Sequence, residues 1–226
     1  MRQLLRSPTV RWNVVGVAVV VALVVALWPR SAPARVAEPA SPTATAAPSP
    51  APSGAPVSEA ELAAPRAAAD LQPCPAPVAG AARSTGPLAG LTLGCLGVAG
   101  TVDLGVALAG RPAVLDLWTW DCPPCAVELP AMATFARRAG PAVTVLTVHS
   151  SPASPYALER LARYGVHLPA VEDPAARVAA LVGAPQVFPV TVLLRADGTV
   201  AKVLAVPYTD AGAIAADVQR YLGVAA

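Results

Sequence analysis

Only two histidines, His149 and His167, accompany the four cysteines of this 226-residue chain. That scarcity argues against zinc: a Cys-x-x-Cys half-site needs two further ligands, and Cys74 and Cys95 lie upstream of the domain core. His149 closes a strand pattern and reads as a capped or solvated strand end. Charge is equally sparse. The formal net charge is +2, and no basic stripe crosses the globular part, which argues against nucleic acid as a partner. Aromatic residues are few. The high hydrophobic fraction is mostly Ala and Val, and much of it belongs to one apolar run and one Ala/Pro-rich stretch, so it overstates the core. The length admits one domain plus appendages.

No acid occurs in residues 1–11, which hold Arg2, Arg6 and Arg11, and no charge interrupts the run from Trp12 to Trp28. These 17 residues would make about 25 Å of helix, enough to cross a thin hydrocarbon core. The arginines predict a cytoplasmic N-terminus, with Trp12 and Trp28 at the two interfaces. A cleaved signal peptide is the rival reading, but Ala32-Pro33-Ala34 is a poor cleavage context. Either way the rest of the chain is exported. Residues 29–70 are Pro, Ala, Ser and Thr with almost no large apolar side chain, the composition of a flexible spacer. The domain is expected over 71–226.

At the centre of that domain stands Asp116-Leu117-Trp118-Thr119-Trp120-Asp121-Cys122-Pro123-Pro124-Cys125. It reads as a buried strand, a turn and the start of a helix. Cys122 takes the N-cap position and Pro123 the first helical one. Free backbone N–H groups and the positive dipole end favour a thiolate there, and the thiolate is the nucleophile of disulfide exchange. Cys125 is then close enough to resolve a mixed disulfide. The cofactor of such a site is its own Cys122–Cys125 disulfide.

An even cysteine count in an exported chain suggests disulfides. Of three possible pairings, the local Cys122–Cys125 pair leaves Cys74 with Cys95. A bridge there would close a loop of about 20 residues, worth roughly 3 kcal/mol, and would staple an N-terminal hairpin. The alternative is a second redox pair passing electrons to Cys122.

Strand patterns over 113–118, 142–148 and 190–194, with helical spacing between them, predict a mixed α/β sheet. A hairpin turns at Asp197-Gly198, and a last helix starts near Thr209. Pro130 is expected to kink the helix after Cys125. Asp173 is expected to cap a helix opening at Pro174, with Val178, Leu181 and Val182 facing inward.

The order Leu117-Trp118, Cys122-Pro123-Pro124-Cys125, Glu128-Leu129-Pro130, Phe188-Pro189-Val190-Thr191, Asp197-Gly198 resembles the thioredoxin fold over about residues 88–222. More closely it resembles the membrane-anchored TlpA/ResA-type proteins. The resemblance implies a thiol–disulfide oxidoreductase fed by a membrane thiol donor and reducing exported proteins such as apocytochrome c. It implies a cis Pro189 against the active disulfide, with the backbone of Phe188 pairing to substrate by strand addition. Trp120 and Pro123 join Phe188 on the substrate-facing surface. Asp116 matches a buried acid that moves a proton to or from Cys125, and Glu128 matches an acid near the pair. For Glu128 the other reading is an exposed first-turn acid. The chain departs from the family in carrying Asp121, not Trp, directly before the first cysteine. Asp121 and the missing N–H of Pro124 should both raise the Cys122 pKa, which points to a reductant. The other functional readings are an oxidase or isomerase for secreted proteins, and a non-catalytic binding module for a client or metal.

Overall fold

The structure is a computed structural model and describes residues 57–225. The expected cytoplasmic segment 1–11, the membrane span 12–28 and the spacer up to residue 56 lie outside the described residues. Among the described residues, no helix is long and apolar enough to cross a membrane.

One seven-stranded sheet organises this part of the chain. Its strands are β1 (Thr92–Cys95), β2 (Thr101–Asp103), β3 (Ala113–Trp118), β4 (Thr144–His149), β5 (Ala170–Glu172), β6 (Val190–Leu194) and β7 (Val200–Leu204). Their spatial order is β2-β1-β5-β4-β3-β6-β7. β3, β4 and β5 run parallel, and every other pairing is antiparallel. β3 is buried along its whole length, so it reads as a continuous apolar run with one acid in it. The fold is thioredoxin-like. The N-terminal hairpin β1–β2 extends the sheet at one edge, where Gly94 and Cys95 pair with Glu172 and Val171.

The helices are α1 (Glu59–Ala69), α2 (Leu104–Ala107), α3 (Pro123–Ala139), α4 (Ser154–Tyr164), α5 (Arg177–Val182) and α6 (Ala211–Leu222). Alternation along the strands sends side chains to two cores. Val114, Trp118 and Val145 join Leu129, Met132 and Phe135 of α3, Leu158 and Leu161 of α4, and Ile214 and Val218 of α6. Leu115, Leu117, Leu146 and Val148 face the other way, onto Leu104, Leu108, Val178 and Ala179. α3 runs on through Pro130 and ends at Gly140, whose φ of 53° suits a residue without a Cβ. In the β6–β7 turn, Gly198 has φ 81°, and a Cβ there would collide with Ser84 Oγ.

Two expectations need correction. Residues 59–69 are helical rather than part of the spacer. Ser58 and Glu61 form a reciprocal capping box, which satisfies donors that composition alone leaves out of view. Leu62 and Ala69 of α1 are buried, the helix packs on α4, and His167 Nδ1 lies 2.9 Å from the carbonyl oxygen of Ala69. Asp173 does not start a helix at Pro174. Its carboxylate accepts from the N–H of Val178 at 2.7 Å, α5 begins at Arg177, and Leu181 is exposed.

Candidate active site

Cys122 caps α3 with extended backbone (φ −95°, ψ 105°), and Pro123 follows inside the helix. Pro123 and Pro124 bring no N–H to the helix mouth. The first N–H there, that of Cys125, donates to Cys122 Sγ at 3.2 Å. The two sulfurs are bonded at 2.03 Å, with Cα atoms 5.3 Å apart. They are not equivalent. Cys122 is half-buried, whereas Cys125 is 1 % exposed. An incoming thiol or disulfide therefore meets Cys122 first, and Cys125 is placed to attack from behind.

The acids lie behind the pair. Asp116 alternates with Val114 and Trp118, so it faces α3. On α3, Cys125, Glu128, Leu129 and Met132 share the buried face at spacings of three and four residues. Asp116 and Glu128 are both wholly buried. Glu128 is not an exposed first-turn residue: its Oε1 accepts from Thr191 Oγ1 at 2.8 Å and its Oε2 from the Tyr208 N–H at 3.0 Å. Thr191 stands opposite Asp116 in the β3–β6 register. Neither oxygen of Asp116 has a hydrogen-bond partner. Burial pushes the Asp116 carboxyl well above its ordinary value, and the neighbouring Glu128 adds to the shift. Burial also raises Glu128, against the pull of its hydrogen bonds from Thr191 and Tyr208. When ionised, Asp116 is thus a stronger base than an ordinary carboxylate, and it faces the helix that carries Cys125.

The Phe188–Pro189 peptide is cis. Leu117 pairs with Val190, so Pro189 lies one step beyond the last rung of β3–β6, at the sheet end where the Cys122 turn departs. Phe188 is half-buried and packs on the cluster that holds Cys122 and Cys125. Pro123 is exposed, and Trp120 is half-buried with its ring stacked on Tyr156 (centroids 4.8 Å apart, 26° between planes).

Cys74 and Cys95 are joined, with Cα atoms 6.1 Å apart. Cys95 lies in the cross-strand row Cys95–Val171–Val148–Leu117. Three strand spacings put it about 14 Å from Leu117, and it shares that residue's face of the sheet, the one turned away from α3. Cys95 and the Cys122–Cys125 pair are on opposite sides of the sheet. That separation disfavours direct electron passage between the two pairs.

His149 is not a solvated strand end. It is wholly buried beside Trp118, with ring centroids 5.0 Å apart, and neither ring nitrogen has a hydrogen-bond partner. Burial lowers its pKa to about 4, and the Asp121 carboxylate opposes the shift. The imidazole is therefore neutral at physiological pH. Sequence reasoning missed this residue because its neighbours come from the β3–β4 register, in which Trp118 and His149 are partners. Among the described residues, no group of three or more His, Cys, Asp or Glu is placed to hold a metal ion.

Residues 90–218 match the family model described as Redoxin. Among solved structures, the DsbF of Mycobacterium tuberculosis, in mixed oxidised and reduced forms, is 24 % identical over 60 % of this chain and 97 % of its own, with a TM-score of 0.53. A secreted thiol-disulfide isomerase of Corynebacterium glutamicum is 22 % identical over 59 % of this chain and 81 % of its own, with a TM-score of 0.51. A secreted disulfide oxidoreductase of Mycobacterium tuberculosis is 28 % identical over 56 % of this chain and 96 % of its own, with a TM-score of 0.48. No curated protein matches the chain. The match to the family model spans more than half of the sequence. The chain belongs to the Redoxin family, and its closed Cys122–Cys125 pair equips it for thiol–disulfide exchange.

Proposed function

We propose that this protein is a membrane-anchored, extracytoplasmic reductase of disulfides in exported proteins. The observation that carries this reading is the inequality of the two sulfurs: Cys122 half-buried at a helix mouth, and Cys125 buried behind it on the face that carries Glu128. In the reduced enzyme, the Cys122 thiolate attacks a client disulfide. A bond forms from Cys122 Sγ to one client sulfur, and the other client sulfur leaves and takes a proton. Cys125 gives its proton to the Asp116 carboxylate, attacks Cys122 Sγ and releases the second client thiol. Two electrons have passed from the pair to the client, and a membrane thiol donor returns them. Phe188, Trp120 and Pro123 form the surface on which the client lies, with Pro189 buried beside Phe188. Glu128 sets the charge felt by Asp116, and the Cys74–Cys95 bridge staples the hairpin.

The direction of electron flow rests on Asp121 and Pro124. A negative charge beside Cys122 and a missing N–H both disfavour its thiolate, which is the form that stabilises the reduced state of a strong oxidant. Residues 12–28 supply the anchor, and apocytochrome c is the client implied by the TlpA/ResA resemblance. Trapping tests the reading: Cys125→Ser should hold a client as a mixed disulfide on Cys122, and Cys122→Ser should hold none. A potential near the roughly −120 mV of strong oxidases would reverse the direction.

A further inference from the structure

Four loops at the Cys122 end of the sheet carry one exposed charge between them; beside them the end of β5 carries Glu172, buried Asp173 and exposed Arg177, the last two paired with each other. The parallel and antiparallel registers bring the chain after β3, after β4, before β6 and after β7 to one end of the sheet. Across residues 119–122, 150–153, 183–189 and 205–209, the only charged side chain is Asp121. The rest of these loops is uncharged, with Thr119, Ser150, Ser151, Gln186 and Thr209 among apolar residues; Val187 and Val206 are exposed, and Tyr156, 54 % exposed, lies against Trp120. Asp121 is exposed and makes no ion pair among the described residues. Among the described residues, the two cations seated on aromatic rings, Lys202 and Arg220, both use Tyr221, and none sits on the Trp120–Tyr156 pair.

We propose that Asp121 and the Trp120–Tyr156 pair form a cation-recognising shoulder that selects client segments with a basic side chain next to the reactive cysteine. The proposal rests on the exchange reading above and adds to it the chemistry of the client. A client segment bonded to Cys122 passes beside the adjacent, exposed Asp121. Covering a lone carboxylate with an apolar segment is costly unless a counter-charge arrives with it. An arginine or lysine supplies that charge, and its stem and head can lie over the stacked rings, whose faces attract cations. An acidic neighbour meets repulsion instead. Tyr156 thereby becomes a specificity-determining residue, contributed by α4 rather than by the Cys-x-x-Cys turn.

The test uses three disulfide-linked peptide probes that differ only in Arg, Gln or Glu beside the cysteine, with dithiothreitol recycling the enzyme. We expect kcat/KM to fall in that order, with Arg over Glu by about tenfold at low salt. The ratio should shrink as salt rises. Asp121→Asn and Tyr156→Leu should each bring the ratio down to about twofold. Asp121→Asn also changes Cys122 itself, but equally for all three probes, so the ratio is the readout. Equal kcat/KM for the probes, or a ratio that survives both substitutions, overturns the shoulder and leaves the exchange reading standing. No turnover of any probe by the unaltered protein overturns both.

Discussion

Thr191 stands opposite Asp116 on the neighbouring strand and gives its hydroxyl hydrogen to Glu128 rather than to Asp116. One buried acid is thereby held by two hydrogen bonds, and the other has none. The difference makes Glu128 the better-stabilised anion of the two, and it makes Asp116 the group whose removal is most informative.

Asp116 binds its proton more tightly in the folded chain than in the unfolded one. Its contribution to stability is therefore present below the ordinary carboxyl pKa and is lost as pH rises through the raised folded value. Asp116→Asn should stabilise the domain at neutral and alkaline pH and flatten this slope. Urea midpoints taken from pH 5 to 9 would check it. The same variant should slow release of a client trapped on Cys122, because Cys125 loses its proton acceptor.

Glu128→Gln and Glu128→Leu should differ. A glutamine can still accept from the Tyr208 N–H and donate to Thr191, whereas leucine strands both groups in the core. The leucine variant should lose about 1–3 kcal/mol more than the glutamine variant, read from chemical denaturation.

The His149 imidazole behaves oppositely to Asp116. Its folded pKa of about 4 lies below the ordinary value of about 6.5, so stability is full above that value and falls as pH drops towards 4. The loss should approach about 3 kcal/mol once the pH is below both values. His149→Leu should abolish this acid-side loss, measured as denaturation midpoints between pH 4 and 7.

Leu62 distinguishes a docked helix from a loose spacer. It is 5 % exposed in α1, so Leu62→Ala should cost about 2–5 kcal/mol. A spacer residue would cost nothing, and a thermal melt of the two chains would show the difference.

The cysteine turn was legible in the sequence because its signals are local. Cys122 is followed by proline at the first helical position, and the preceding strand is apolar throughout, so cap, helix start and strand all follow from neighbours in the chain. Glu128 could have been placed from spacing alone: it falls three residues after Cys125 and one before Leu129, on the face that α3 buries. α1 was hidden because its window is mostly alanine with Pro65 inside it, and only Leu62 and Ala69 are buried. The signal that could have found it is the Ser58–Glu61 capping spacing. His149 was not legible in this way. Its burial depends on strand pairing with Trp118, and pairing partners are remote in sequence.

Cys95 and the Cys122–Cys125 pair face away from each other through the thickness of the sheet, and that has a consequence for how the molecule handles reductant. The β-layer acts as an insulator between two sulfur circuits. Raising the reductant step by step should open each bridge at its own midpoint, two thiols at a time, with neither opening shifting the midpoint of the other.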